Sequence, residues 1–273
     1  MPLTPLPWSV WVAPSDCGER SQPATRLGAA RVVSPEPSLN ASVFTQLADG
    51  IALAPHEHVA VLYRGRAATF RFAPFLAEGL ERHDVCLYLA PRSLHSGMVE
   101  CLRALGVDPA AHFQKRSLRF SEGLEDFREL CQSAEQVFHD AERQGAPGVR
   151  WLEEGSWPKA VGFPMQQFFD FHAALNYQVK HYPSVALCQY DLGEIEPQHL
   201  LSAIAVHRHL ILDGTLVRDN PFYIPAEKFI SLEPRERQRD LAQVFREVGF
   251  DTEKLLAALA GYGRMRPGET PGS

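Results

Sequence analysis

Val185-Ala186-Leu187-Cys188-Gln189-Tyr190 is a β-rich, nearly continuous apolar run, preceded by Pro183 and closed by Asp191. A run of this length without strict alternation reads as a strand covered on both faces, central in a sheet. The segment before it, residues 165–181, has helical spacing that Pro183 stops. The segment after it, residues 197–206, reads as a helix with Pro197 in its first turn. Working outward, residues 58–63, 85–90, 117–120 and 149–153 read as further strands. Helical patterns over 67–82, 93–105 (Ser93 near its N-cap, Gly106 past its end) and 124–144 (ending at Gly145) lie between them. Residues 210–212 and 215–217 read as a hairpin around Asp213-Gly214, and 235–248 with 252–259 as a C-terminal helical pair broken at Gly249. Strands alternating with helices of this length predict an α/β fold. Its form is three layers, a mostly parallel sheet with helices on both faces.

The 273 residues are 45% hydrophobic and 22% charged, with a formal net charge of -6. These values suit a soluble globular chain whose core needs no disulfide or metal to hold it. No apolar run approaches a membrane span, and Met1-Pro2-Leu3-Thr4-Pro5 lacks a basic, apolar leader, so the expected location is cytoplasmic. The acidic balance argues against direct nucleic-acid binding. Cys17, Cys86, Cys101, Cys131 and Cys188 follow no framework spacing and read as free thiols; the lack of a CxxC disfavours a structural zinc site. Four regions are expected: a proline-rich arm over 1–40 carrying Trp8 and Trp11, a core over 41–232, a helical appendage over 233–264 and a tail over 265–273.

In a sheet of this type ligands sit beyond the carboxyl ends of the strands. Tyr63-Arg64-Gly65-Arg66-Ala67-Ala68-Thr69 follows the first strand, where a phosphate loop would need several glycines and a Gly-Lys-Ser/Thr close. One Gly and no Lys are present, and the arginines leave an anion-friendly corner. Trp151-Leu152-Glu153-Glu154-Gly155-Ser156-Trp157 brings paired carboxylates to another strand end, with Glu154 and Trp157 read as pocket lining. Cys188 reads as a core thiol, and Asp191 either orients a ligand or caps a turn. His56-Glu57-His58 and His207-Arg208-His209 each place two imidazoles on one strand face, a chelate for a metal or haem iron. Both pairs fall at element boundaries, and no metal is assigned. No Gly-x-Ser-x-Gly elbow supports acyl transfer.

His58-Val59-Ala60-Val61-Leu62-Tyr63, Phe75-Leu76-Ala77-Glu78-Gly79-Leu80-Glu81-Arg82 and Cys86-Leu87-Tyr88 resemble the opening of the MEDS family. This is the sensory domain of methanogens, methylotrophs and the dichloromethane regulator. Gly148 to Trp157, Leu175-Asn176, Ala186 to Asp191, His207 and Asn220-Pro221-Phe222-Tyr223 continue the resemblance in order over roughly residues 45–230. His207-Arg208-His209 departs from the family's His-Pro. The family is similar to RecA-like, KaiC-type ATPases, so the resemblance implies a degenerate nucleotide cleft without its phosphate loop. It implies a non-catalytic sensor of a small-molecule signal in signalling or transcription control.

The expected ligand residues are Tyr63, Arg64, Arg66, Thr69, Glu154, Trp157, Tyr190 and Asp191, with His58, Cys188, His207 and Asn220 as secondary candidates. No cofactor is expected. The signal would pass to a separate output protein, a transcription regulator or kinase-like partner, and homo-oligomerisation is left open. Two alternatives stand: a ligand-free scaffold, and a residual nucleotide hydrolase using Glu153 or Glu154 with Arg64 or Arg66.

Overall fold

The central strand of the first helical crossover, β3 (Glu57–Tyr63), pairs in parallel with β7 (Ser184–Asp191) along its whole length, from Glu57 opposite Val185 to Tyr63 opposite Asp191. The computed structural model describes residues 43–47, 50–65, 68–233, 235–237, 239, 243 and 254–257. Their other elements are β1 (Thr45–Gln46), β2 (Ala52–Leu53), α1 (Ala73–Glu81), β4 (Val85–Leu89), α2 (Arg92–Ala104), α3 (Pro109–Gln114), β5 (Leu118–Ser121), α4 (Phe127–Gln144) and β6 (Val149–Glu154). They continue with α5 (Trp157–Val161), α6 (Met165–His181), α7 (Pro197–Val206), β8 (His209–Leu212), β9 (Thr215–Val217) and α8 (Ala226–Ser231). The main sheet has the order β5-β4-β6-β7-β3-β8-β9, parallel throughout except for the β8–β9 hairpin.

The three-layer α/β expectation therefore holds. Alternation along each strand sorts the core into two layers. Ala60, Leu62, Leu87, Trp151, Cys188 and Tyr190 face α4, α6 and α7. Val59, Val61, Tyr88, Leu152, Val185 and Leu187 face α1 and α2. Among the described residues no helix is long and apolar enough to cross a membrane.

Local chemistry sets most boundaries. The Asp126 carboxylate accepts the Glu129 main-chain N–H at 2.9 Å, so α4 starts at Phe127 rather than at 124. Asp213 and Gly214, with φ of 49° and 72°, form the two-residue turn whose twist suits a hairpin, as expected. The first helix begins at Ala73, not 67, because Pro74 seats well only in a first turn. The second begins after Pro91 rather than at a Ser93 cap. The small elements β1, β2, α3, α5 and α8 have no counterpart in the sequence reading; each is too short to show a period. The Trp8/Trp11 arm, the C-terminal tail and most of the C-terminal helical pair lie outside the described residues. Within that pair, residues 235–237 and 254–257 are helical, and Leu255 and Leu256 are buried in the α6 layer.

One buried cation ties the α1 layer together. Arg150 of β6 is fully buried and donates to Asp84 at 2.8 Å, Glu78 at 2.9 Å, Thr45 Oγ1 at 3.0 Å and the Phe75 carbonyl at 3.0 Å. Its guanidinium also lies 5.3 Å and 5.0 Å from the Phe44 and Phe75 ring centroids. Burial pushes Glu78 up, but the hydrogen bonds from Arg150 and Thr45 and the charges of Arg150 and Arg82 bring it below the usual carboxylate range. A methyl group at Gly79 would overlap the Arg150 side chain. Arg150→Met strands the buried Asp84, so it is expected to lower stability by about 3–5 kcal/mol, and adding Asp84→Asn returns part of that loss. Gly79→Ala is expected to destabilise despite alanine's better helix propensity. Urea unfolding of the four proteins checks both expectations.

Candidate functional site

The chain leaves β3 towards α1 on one face of the sheet and leaves β7 towards α7 on the other. Adjacent parallel strands whose connections depart to opposite faces open a crevice at their carboxyl ends. Asp191, at the end of β7, bridges that crevice. Its Oδ1 accepts the main-chain N–H of Gly65 at 3.2 Å and of Gly193 at 2.9 Å, joining the loop after β3 to the loop after β7. The Leu192 N–H adds a bond to the Tyr63 carbonyl at 2.8 Å.

On the α1 face of the crevice the side chains are polar and close together. Tyr63 donates its hydroxyl to Glu154 Oε2 at 2.9 Å and lies 3.4 Å from Thr69 Oγ1. Gln189 Nε2 donates to the same Glu154 oxygen and to the Thr69 carbonyl, both at 3.0 Å. Tyr88, one strand over and on the same face, has a buried hydroxyl without a hydrogen-bond partner among the described residues, as does Gln189 Oε1. Burial raises Glu154 to about 7; the Tyr63 and Gln189 bonds oppose that rise and the Asp191 and Glu194 charges add to it. Burial, then the Glu154 charge, also raises the Tyr88 and Tyr63 hydroxyls. Glu154 thus titrates near neutrality and can either donate or accept a proton.

The opposite face holds a second polar group beneath α6. His58, His172, Cys188 and His207 are all buried, and one donor atom from each lies within 4.8 Å of the others. The His58 and His207 rings meet at 4.2 Å between centroids. Burial, then the His207 and His172 charges, holds His58 well below the usual histidine range; burial, then His172, does the same to His207. Beside this group Glu153 accepts the indole N–H of Trp151 and of Trp157, each at 2.8 Å, and lies 3.1 Å from His172 Nε2.

The expected site residues therefore divide. Tyr63, Thr69, Glu154 and Asp191 meet at the crevice, where Arg64 is exposed; Arg66 lies outside the described residues. Trp157 and Tyr190 are buried on the other face, Trp157 against Phe163 and Phe168 and Tyr190 near His172 and His207. Asn220 donates to the Ile204 and His207 carbonyls at 2.7 Å and 2.8 Å and accepts from the Phe222 N–H, stapling the end of α7. The two His-x-His pairs do not act as pairs. His58 and His207 turn inward, whereas His56 Nδ1 bonds the Val179 carbonyl and His209 Nδ1 the Asp219 N–H. The sequence reading missed Tyr88, Gln189 and His172 as site residues. His172 and Asn176 stand four apart on the apolar stripe of α6 with Phe168, Leu175 and Val179, and polar residues on such a stripe are the signal that could have found them.

Residues 57–208 match the model of the family described as MEDS, "MEthanogen/methylotroph, DcmR Sensory domain". The "Transcriptional repressor DcmR" of Methylorubrum extorquens (strain DSM 6343 / CIP 106787 / DM4) is 27% identical over 165 residues, which cover 60% of this chain and 62% of that protein. The matched span runs from the first residue of β3 to just past His207, and so includes the crevice and the buried histidine group. With more than half of its length matched, the chain belongs to the MEDS family of sensory domains.

Proposed function

We propose that this domain receives a small polar signal molecule at the carboxyl ends of β3, β6 and β7 and passes the signal to a separate output protein in transcription control. The observation that carries the reading is a buried polar group left incomplete. The Tyr88 hydroxyl and Gln189 Oε1 lack partners beside Glu154, and buried polar atoms of this kind normally have them. A small molecule with a hydroxyl or amine would supply donors to Gln189 and Glu154 and an acceptor to Tyr88 or Tyr63. The family's description as a sensory domain and the relative's name as a repressor support the same reading. The loop over 63–69 has no lysine to hold a phosphate, which favours a sensor over a residual nucleotide hydrolase.

A signal requires two states that bind the ligand differently. Here the two states are arrangements of the loop after β3, which Asp191 ties to the loop after β7 through Gly65. A ligand held by Glu154 and Tyr63 shifts that tie, and the partner reads the shift. Residues 1–40 and 233–264 are the proposed docking segments.

Native mass spectrometry of the gently purified full chain tests this reading. It should show a retained non-protein mass, and Tyr88→Phe should lose it. Because the Tyr88 hydroxyl has no partner to lose, the ligand-free Tyr88→Phe protein should keep its stability within about 1 kcal/mol. No retained mass, together with unchanged regulation in Tyr88→Phe, Gln189→Leu and Glu154→Gln, would overturn the reading.

Glu154 also gives a pH expectation. Its folded value of about 7 lies above the ordinary 4.5, so its contribution is fully present below pH 4.5 and is lost as pH rises through about 7. Relative to Glu154→Gln, which stays neutral, the wild type should lose about 3 kcal/mol between pH 4.5 and 8. Paired urea titrations check this, and a pH-independent difference would contradict it.

A further inference from the structure

The buried histidine group beneath α6 has a hydrogen-bond arrangement that bare side chains do not satisfy. Asn176 Nδ2 donates to the His172 and Val206 carbonyls at 3.1 Å and 3.0 Å, which orients its amide and turns Oδ1 towards His58. His58 Nδ1 therefore carries the proton and donates to Asn176 Oδ1 at 3.2 Å. His172 Nε2 donates to the Glu153 carboxylate at 3.1 Å, and His207 Nδ1 donates to the Ala203 carbonyl at 2.7 Å. Each imidazole thus has its outward nitrogen protonated against an oxygen acceptor. Three bare lone pairs, His58 Nε2, His172 Nδ1 and His207 Nε2, are left in the group together with one thiol, Cys188. A single S–H cannot serve three acceptors, and His207 Nε2 is buried with no partner among the described residues.

Three of the four groups are spaced close to what a cation requires, and a ligand atom of His207 lies within 4.8 Å of theirs. His58 Nε2 lies 3.4 Å from His172 Nδ1 and 3.2 Å from Cys188 Sγ, and His172 Nδ1 lies 3.6 Å from that sulfur. A tetrahedral ion with nitrogen at about 2.05 Å and sulfur at about 2.3 Å requires donor–donor edges of about 3.3–3.6 Å. Asn176, Glu153 and the Ala203 carbonyl are the outer partners that metal-bound histidines normally have. Charge fits as well: a Cys188 thiolate and the buried Glu153 carboxylate together balance a divalent ion.

We infer that His58, His172, Cys188 and His207 form a closed, structural site for a divalent transition-metal ion of the zinc class. Binding breaks the Cys188 S–H bond, releases that proton to solvent and forms the metal–sulfur bond, with no change of oxidation state. The ion would clamp β3 and β7 to α6 and to the chain entering β8. The site lies on the opposite face of the sheet from the proposed signal crevice and does not depend on it. It goes beyond the sequence reading, which assigned no metal: the two distant His-x-His pairs would each supply one ligand, and no CxxC is involved.

Elemental analysis of the full chain purified without chelator should find about one zinc per chain. After exchange into Co2+, the wild type should show a sulfur-to-cobalt charge-transfer band that saturates at that ratio. Cys188→Ser should abolish the band, and the conservative Glu153→Gln should weaken Co2+ affinity about 10–100-fold while keeping the band. His56→Gln and Cys131→Ser should change neither reading. A strong chelator should lower the melting temperature of wild type more than that of Cys188→Ser. Trace metal in wild type with no saturable Co2+ band, or a band that survives in Cys188→Ser, overturns the inference.

Discussion

The parallel seam between β3 and β7 governs the rest of the molecule. Seven residue pairs are in register along it, and the two strands send their connections to opposite faces. Register and pleat together assign every polar residue of these strands to a face. Gln189 and Asp191 point to the α1 side with Tyr63, whereas Cys188 and Tyr190 point to the α6 side with His58. A one-residue slip would exchange the two sets and leave both groups without partners.

A sheet covered on both faces has little water to satisfy polar side chains, so each such group must be completed within its own layer. Three polar groups meet that demand differently. Around Arg150 a cation is neutralised by Asp84 and Glu78 and framed by two phenylalanine rings, with Arg150 Nη2 and Asp84 Oδ1 left without partners among the described residues. At the carboxyl ends of β6 and β7 burial raises Glu154 to about 7, and the buried Tyr88 hydroxyl and Gln189 Oε1 lack partners among the described residues. Beneath α6 three imidazole lone pairs converge on a single thiol, Cys188, which can serve only one of them, and this is the basis of the proposed ion site.

The proposed sensor role rests on the polar chemistry at the carboxyl ends of β3, β6 and β7. Residues 63–69 contain no lysine, and the hydroxyls of Tyr63 and Thr69, the Gln189 amide and the Glu154 carboxyl group meet there. The matched relative carries a repressor's name, and the family match over residues 57–208 contains the whole seam.

The fold was largely legible before any coordinates. Uninterrupted apolar runs such as 185–190 and helices bounded by Pro183 and Pro197 are local signals, and α6 and α7 lie where those signals put them. The Asp213-Gly214 turn is equally local, because it needs only residues that tolerate positive φ. The crevice was partly legible: Tyr63, Thr69, Glu154 and Asp191 could be assigned to strand ends. The face on which each lies could not, and so Trp157 and Tyr190 were grouped with residues on the other side of the sheet. The buried histidine group was illegible for the same reason. His58, His172, Cys188 and His207 come from four separated segments, and the short-range His-x-His spacing pointed to the wrong partners. Sequence alone determined which segments become strands and helices, since periodicity and breakers act over a few residues. The tertiary structure alone decided which side chains share a layer, since that depends on strand order and register between segments more than a hundred residues apart.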